Sequence, residues 1–129
     1  MASELTIPND LVGVYPIQDM IEEALQELAY TEYDIFAIKL ALEEALINAI
    51  KHGNQMGPDK WVHIAYTVTA ERFDIRITDE GDGFNPEDPY DSWRPCGRGL
   101  LLMRTFMTEV QYHGKGNVVN MSKVREVAS

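Results

Sequence analysis

The sequence predicts an α+β fold, a two-layer α/β sandwich whose mixed, mostly antiparallel sheet is covered on one face by helices. Two observations on strands and one on helices lead there. Segments 62–68 and 73–78, and again 109–112 and 118–121, alternate polar and apolar residues and are joined by short polar turns, so each pair reads as an antiparallel hairpin. Three other stretches repeat apolar residues at the helical period. The chain order is strand, helix, helix, hairpin, loop, helix, hairpin, within a single domain spanning 1–129.

Each element has its own local justification. Residues 4–7 alternate and stop at Pro8-Asn9-Asp10, a short strand followed by a turn. After Pro16, the residues Ile17, Met20, Ile21, Ala24, Leu25 and Leu28 recur at helical spacing and predict an amphipathic helix. Thr31 is suited to cap the next helix, 33–51, which is rich in Ala, Leu, Ile and Glu and is closed by Gly53-Asn54. That helix is apolar around much of its circumference, so it is expected to be largely buried. Asp79-Glu80-Gly81-Asp82-Gly83 ends the 73–78 strand abruptly. The connection over 84–96 is too long for a turn, and Pro86, Pro89 and Pro95 exclude regular structure; such loops are commonly lids or disordered. Gly97-Arg98-Gly99 then opens a helix carrying Leu100, Leu101, Met103, Phe106 and Met107, before the final hairpin turns at Gly114-Lys115-Gly116-Asn117.

The 129 residues are 45% hydrophobic and 25% charged, an ordinary globular composition. Eleven Lys and Arg stand against 21 Asp and Glu, a net charge of −10. A surface of that sign repels phosphate backbones and anionic lipid, which argues against direct nucleic-acid or membrane binding. Any anionic ligand must therefore be held by backbone amides, a few chosen cations or a metal ion. The single cysteine, Cys96, excludes an intramolecular disulfide and a thiolate metal cluster, and suits a cytoplasmic location. No stretch approaches the roughly 18 apolar residues of a membrane span.

Several familiar motifs fail. Gly81-Asp82-Gly83 is no dinucleotide fingerprint, because its third glycine would fall at Pro86 and no helix follows directly. A phosphate-binding G-x-x-x-x-G-K-[ST] run and a G-x-S-x-G elbow are both absent. His52, His63 and His113 lack ligand spacing for zinc.

Three pieces remain. Glu44 and Asn48 are four apart on the long helix and share a face, and polar groups on a buried helix need partners or a ligand. Taken alone they serve a local hydrogen bond or an exposed position as well as a site in which Asn48 gives an oxygen to Mg²⁺ and Glu44 accepts a proton. Asp79, followed by Gly81 and Gly83 at a strand end, offers a carboxylate to an exocyclic amine such as adenine's where the backbone can come close; a glycine-rich turn with acidic residues is the simpler alternative. Gly97-Arg98-Gly99 presents free amides and a positive helix end to an anion, or supplies only the flexibility that helix entry needs.

Joined in order, residues 44–53 (Glu-Ala-Leu-Ile-Asn-Ala-Ile-Lys-His-Gly), 79–84 (Asp-Glu-Gly-Asp-Gly-Phe) and 97–100 (Gly-Arg-Gly-Leu) resemble the N-box and two glycine boxes of the GHKL ATPases. Glu44 four residues before Asn48, a short lid and a compact C-terminal hairpin are similar to the anti-sigma-factor serine/threonine kinases within that superfamily. The resemblance implies a Bergerat fold binding ATP and Mg²⁺. By it, Asn48 coordinates Mg²⁺, Asp79 binds the adenine amino group, Gly81 and Gly83 make room for the base, and Gly97, Gly99 and Leu100 close on the phosphates. Glu44 is then the general base, and Lys51 and Arg98 are phosphate cations or plain surface charges. The resemblance further implies a homodimer that sequesters a sigma factor and phosphorylates a STAS-domain anti-sigma-factor antagonist. The competing expectation is a non-catalytic ATP-sensing docking module in a signalling switch.

Overall fold

The computed structural model describes residues 2–54, 57–81, 97–114 and 116–126, with the backbone alone at 52 and 97–99. Strand β1 spans Ala2–Pro8, helix α1 Val14–Glu27, α2 Glu32–Ile47, β2 Trp61–Val68, β3 Arg72–Thr78, α3 Gly97–Phe106, β4 Glu109–His113 and β5 Val118–Val124. These strands form one sheet in the order β1-β2-β3-β5-β4. Every pairing in it is antiparallel, so the expected mixed sheet is antiparallel throughout its described strands.

Alternation decides which sheet face is covered. Val62, Ile64, Tyr66 and Val68 of β2, Phe73, Ile75 and Ile77 of β3, and Val119 and Met121 of β5 are all buried. Against them pack Ile17, Ile21 and Leu25 of α1, Ile38, Leu42 and Leu46 of α2, and Met103 of α3. One face of the sheet thus forms the core, and the other carries polar side chains such as Thr6, His63, Arg76, Gln111 and Asn120.

Local chemistry fixes the helix ends. Thr31 sits in extended backbone at φ −66° and ψ 157°, and its Oγ1 accepts the Asp34 N–H at 3.0 Å, the expected N-cap. α1 begins at Val14 rather than after Pro16, because a proline in the first turn has no helical hydrogen bond to lose. A single 3₁₀ turn, Leu11–Gly13, precedes it, capped by Asp10 accepting from the Val12 N–H. α2 lies between its neighbours, and Phe36 meets Phe106 of α3 edge-on at 5.9 Å between ring centres. Burial on several sides accounts for its broad apolar surface.

At its C-terminal end α2 loosens into a π-helical turn over Asn48–Gly53. Helical periodicity carries no signal for such a turn, and turns of this kind recur at functional sites. Its start is the polar residue that the sequence singled out.

Candidate functional site

The site collects where the C-terminal end of α2, the C-terminal end of β3 and the β4–β5 turn converge. Asn48, Asp79 and Asn117 line one small cavity of about 10 Å³, with Ala45, Ile77 and Tyr112 in its walls. It has room for no more than about one water. Asn48 is only 4% exposed, yet its carboxamide makes no hydrogen bond to another described residue. A buried amide that no other described residue bonds can be completed by a ligand.

Glu44 stands one helical turn before Asn48 and is partly exposed. Its carboxylate forms no hydrogen bond or ion pair with another described residue. It is therefore available to accept a proton from a molecule arriving at this end of α2. Lys51 lies exposed in the π-helical turn.

Beyond β3 the chain is held tightly. Asp79 is 5% exposed, and its Oδ1 accepts the Gly81 N–H at 2.8 Å. The Asp79 N–H donates to the Asn117 carbonyl at 2.9 Å, and Asn117 Nδ2 donates to the Asp79 carbonyl at 3.1 Å. On the opposite side Asn54 Oδ1 accepts the Glu80 N–H at 2.6 Å, while Asn54 Nδ2 donates to Asn9 Oδ1 and the Trp61 carbonyl. Glu80 in turn accepts from the Trp61 N–H and meets His63 Nε2 at 3.0 Å. The hydrogen bond with His63, helped by that from Trp61, holds the Glu80 carboxyl below the usual carboxylate range. A depressed carboxylate contributes above its unfolded pKa, so this brace on the strand end loosens as pH falls.

Gly81 and Gly53 are glycines for a packing reason. A Cβ on Gly81 would collide with the Gly53 carbonyl, and a Cβ on Gly53 would collide with the Asp79 carboxylate. The two backbones touch where the α2 end meets the β3 end, so the glycine that the sequence reading reserved for a flat ligand is needed by the protein itself. Gly81→Ala is expected to destabilise the fold by about 1 to 3 kcal/mol, the usual result of overpacking. An unchanged Tm in that variant would contradict the contact.

Gly97 to Gly99 form the first turn of α3, and Leu100 is partly buried against the core. Gly83 and the 84–96 connection lie outside the described residues, as does Cys96. The structure thus brings together Asn48, Asp79 and Gly81 from the sequence-derived set and adds Asn54 and Asn117. Both additions sit in what reads as turn sequence, and their partners lie 26 and 38 residues away.

Among the described residues no group of three or more His, Cys, Asp or Glu side chains could hold a metal ion. Magnesium does not require such a cage, since it is commonly held by one or two protein oxygens plus substrate phosphates. The buried side-chain oxygen of Asn48 fits that donor requirement. Among the described residues, no helix is long and apolar enough to cross a membrane.

Comparison with known proteins agrees with this fold. The Histidine kinase-like ATPase domain profile matches residues 7–123. Serine-protein kinase RsbW of Bacillus subtilis (strain 168) is 29% identical over 133 residues, covering 93% of this chain and 83% of that protein. Serine-protein kinase RsbW of Bacillus licheniformis is 31% identical over 110 residues, covering 75% of this chain and 69% of that protein. The crystal structure of the RsbU and RsbW domains of a Mycobacterium tuberculosis protein has the same fold, with a TM-score of 0.67 at 16% identity. That match covers 99% of this chain but 34% of the longer one.

Proposed function

Because this chain belongs to the histidine kinase-like ATPase family, we propose that it is an ATP-binding anti-sigma factor and serine/threonine protein kinase. In this reading it sequesters a sigma factor and phosphorylates a STAS-domain antagonist of that complex, acting as a cytoplasmic homodimer. The observation that carries the nucleotide site is the buried Asn48 carboxamide, bonded to no other described residue and lining the same cavity as Asp79, one helical turn beyond Glu44.

The residues divide the chemistry between them. Asp79 accepts a hydrogen bond from the adenine amino group, and a carbonyl at that position would be rejected. Asn48 holds Mg²⁺ through its side-chain oxygen, and the metal supplies charge neutralisation at the phosphates. The amides at the start of α3, with Gly97, Gly99 and Leu100, cradle the phosphate chain, aided by Arg98 and Lys51, while the backbone of Gly81 and Gly83 makes room for the base. Glu44 accepts the proton of a serine or threonine hydroxyl on the partner protein. As that oxygen forms its bond to the γ-phosphorus, the bond from phosphorus to the bridging β-phosphate oxygen breaks and ADP leaves.

The test is transfer of labelled γ-phosphate from ATP to a purified STAS-domain anti-sigma-factor antagonist. The reading expects a stoichiometric phosphoserine or phosphothreonine. Nucleotide-dependent complex formation with no phosphoprotein would instead make the chain a docking module that senses ATP without catalysis.

A further inference from the structure

We propose that the outer groove between α1 and α2 docks one amphipathic α-helix of a partner protein, apolar along one side and carrying Lys or Arg at two positions about eleven residues apart. The two helices are joined by the short turn 28–31 and leave an open groove of about 600 Å³ between them. On the α1 wall Tyr15, Gln18, Glu22 and Gln26 stand at i, i+3, i+7 and i+11. On the α2 wall Glu32, Ile35, Lys39 and Glu43 repeat the same spacing, with Phe36 and Leu40 beside them. That is the spacing of a seam against which another helix packs. The core does not account for it, because other residues, Ile17, Ile21 and Leu25 of α1 with Ile38 and Leu42 of α2, face the sheet.

The chemistry of the groove selects its occupant. Tyr15 is 62% exposed and Phe36 55%, and aromatic side chains left this open are the usual anchors of an interface. The middle of the groove is neutral and braced: Lys39 Nζ meets Glu22 Oε1 at 3.1 Å, and the buried Gln18 side chain donates to the Lys39 carbonyl at 3.1 Å. Its ends are negative. Glu32 and Glu43 form no hydrogen bond or ion pair with another described residue, and eleven residues make three helical turns, so the two lie on one side of α2 about 16 Å apart. Asp19, Glu23 and Glu27, all exposed on α1, add to the field along the rim. Lys39 is the one cation among the described lining residues, and it is already paired. Nucleic acid and anionic lipid carry the wrong sign for this surface, and a second copy of the chain brings the same acidic helices and a net charge of −10. A basic amphipathic helix answers both the apolar floor and the two acidic ends. Glu43 immediately precedes Glu44, so a helix docked here is brought up beside the proposed base. The groove shares no lining residue with the cavity of Asn48 and Asp79, and docking in it does not depend on the nucleotide reading.

The probe is a fluorescein-labelled helical peptide with a leucine stripe and two lysines eleven residues apart, titrated with the full chain and read by anisotropy; in a companion peptide both lysines are glutamates. The native chain should bind the lysine peptide at least about tenfold more tightly, with a gap that narrows in high salt. Reversal of both ends, Glu32→Lys with Glu43→Lys, should invert the preference. General attraction to an acidic protein would not do so, because the doubly substituted chain keeps a net negative charge. Phe36→Ala should weaken both peptides about tenfold, as loss of an anchor does. Should the double variant fail to fold, Glu43→Lys alone, at a partly exposed position, should remove most of the preference. No binding of the lysine peptide by the native chain, equal binding of the two peptides, or a preference that survives reversal of Glu32 and Glu43 would overturn the docking site. All titrations are made without nucleotide, so failure of the ATP site leaves their outcome untouched.

Discussion

Glu44→Gln is expected to slow phosphotransfer by at least about a hundredfold, the usual contribution of a general base, while ATP affinity and Tm stay at their native values. The separation of effects follows from where the residue stands. Its carboxylate is partly exposed and bonded to no other described group, so a carboxamide of the same size breaks nothing in the fold. Asn48, the magnesium ligand in this scheme, is one turn away and untouched. Only proton acceptance is lost. Single-turnover transfer to the phosphoacceptor protein, paired with an ATP titration, reads the two quantities independently. Native transfer by Glu44→Gln would remove the base from this position, and loss of ATP binding would place Glu44 in nucleotide binding.

Asp79→Asn should weaken ATP by about 2 to 3 kcal/mol, or roughly 30- to 150-fold, which is the scale of a hydrogen bond to a charged group. The asparagine oxygen can still accept the Gly81 N–H, and the main-chain bonds to Asn117 do not depend on the side chain at 79. These contacts of Asp79 therefore survive the change. What is lost is the second acceptor, because the carboxamide nitrogen presents donors to an amine that is itself a donor. The corresponding check is calorimetry alongside thermal unfolding: weak ATP binding with a native Tm fits base recognition, whereas a collapsed Tm would make Asp79 chiefly a structural residue.

Much of this arrangement is legible in the residues before any fold is known. Thr31 as a cap, the alternation in β2, β3 and β5, and the all-round apolar pattern of α2 are local signals, and the structure bears them out. The pairing of Glu44 with Asn48 is equally local, since helical geometry alone puts them on one face. Other features depend on contacts that no window of sequence contains. Asn54 reads as a residue closing a helix, and only the approach of Glu80 from the β3 end turns it into a clamp. Asn117 reads as turn filler until β5 is laid beside β3. Gly81 is legible as a glycine that must be small, but its neighbour is the Gly53 carbonyl, which only the folded chain supplies. The π-helical turn after Ile47 has the same origin, because its wider spacing serves the junction with Asp79 and leaves no periodic mark.

An isothermal titration of the native chain with ATP, with and without Mg²⁺ and with GTP in parallel, tests the nucleotide site most directly. Micromolar binding, about 8 kcal/mol, that needs Mg²⁺ and excludes GTP is the expected result. Absence of binding under all three conditions, or equal affinity for GTP, would contradict a site built on Asn48 and Asp79.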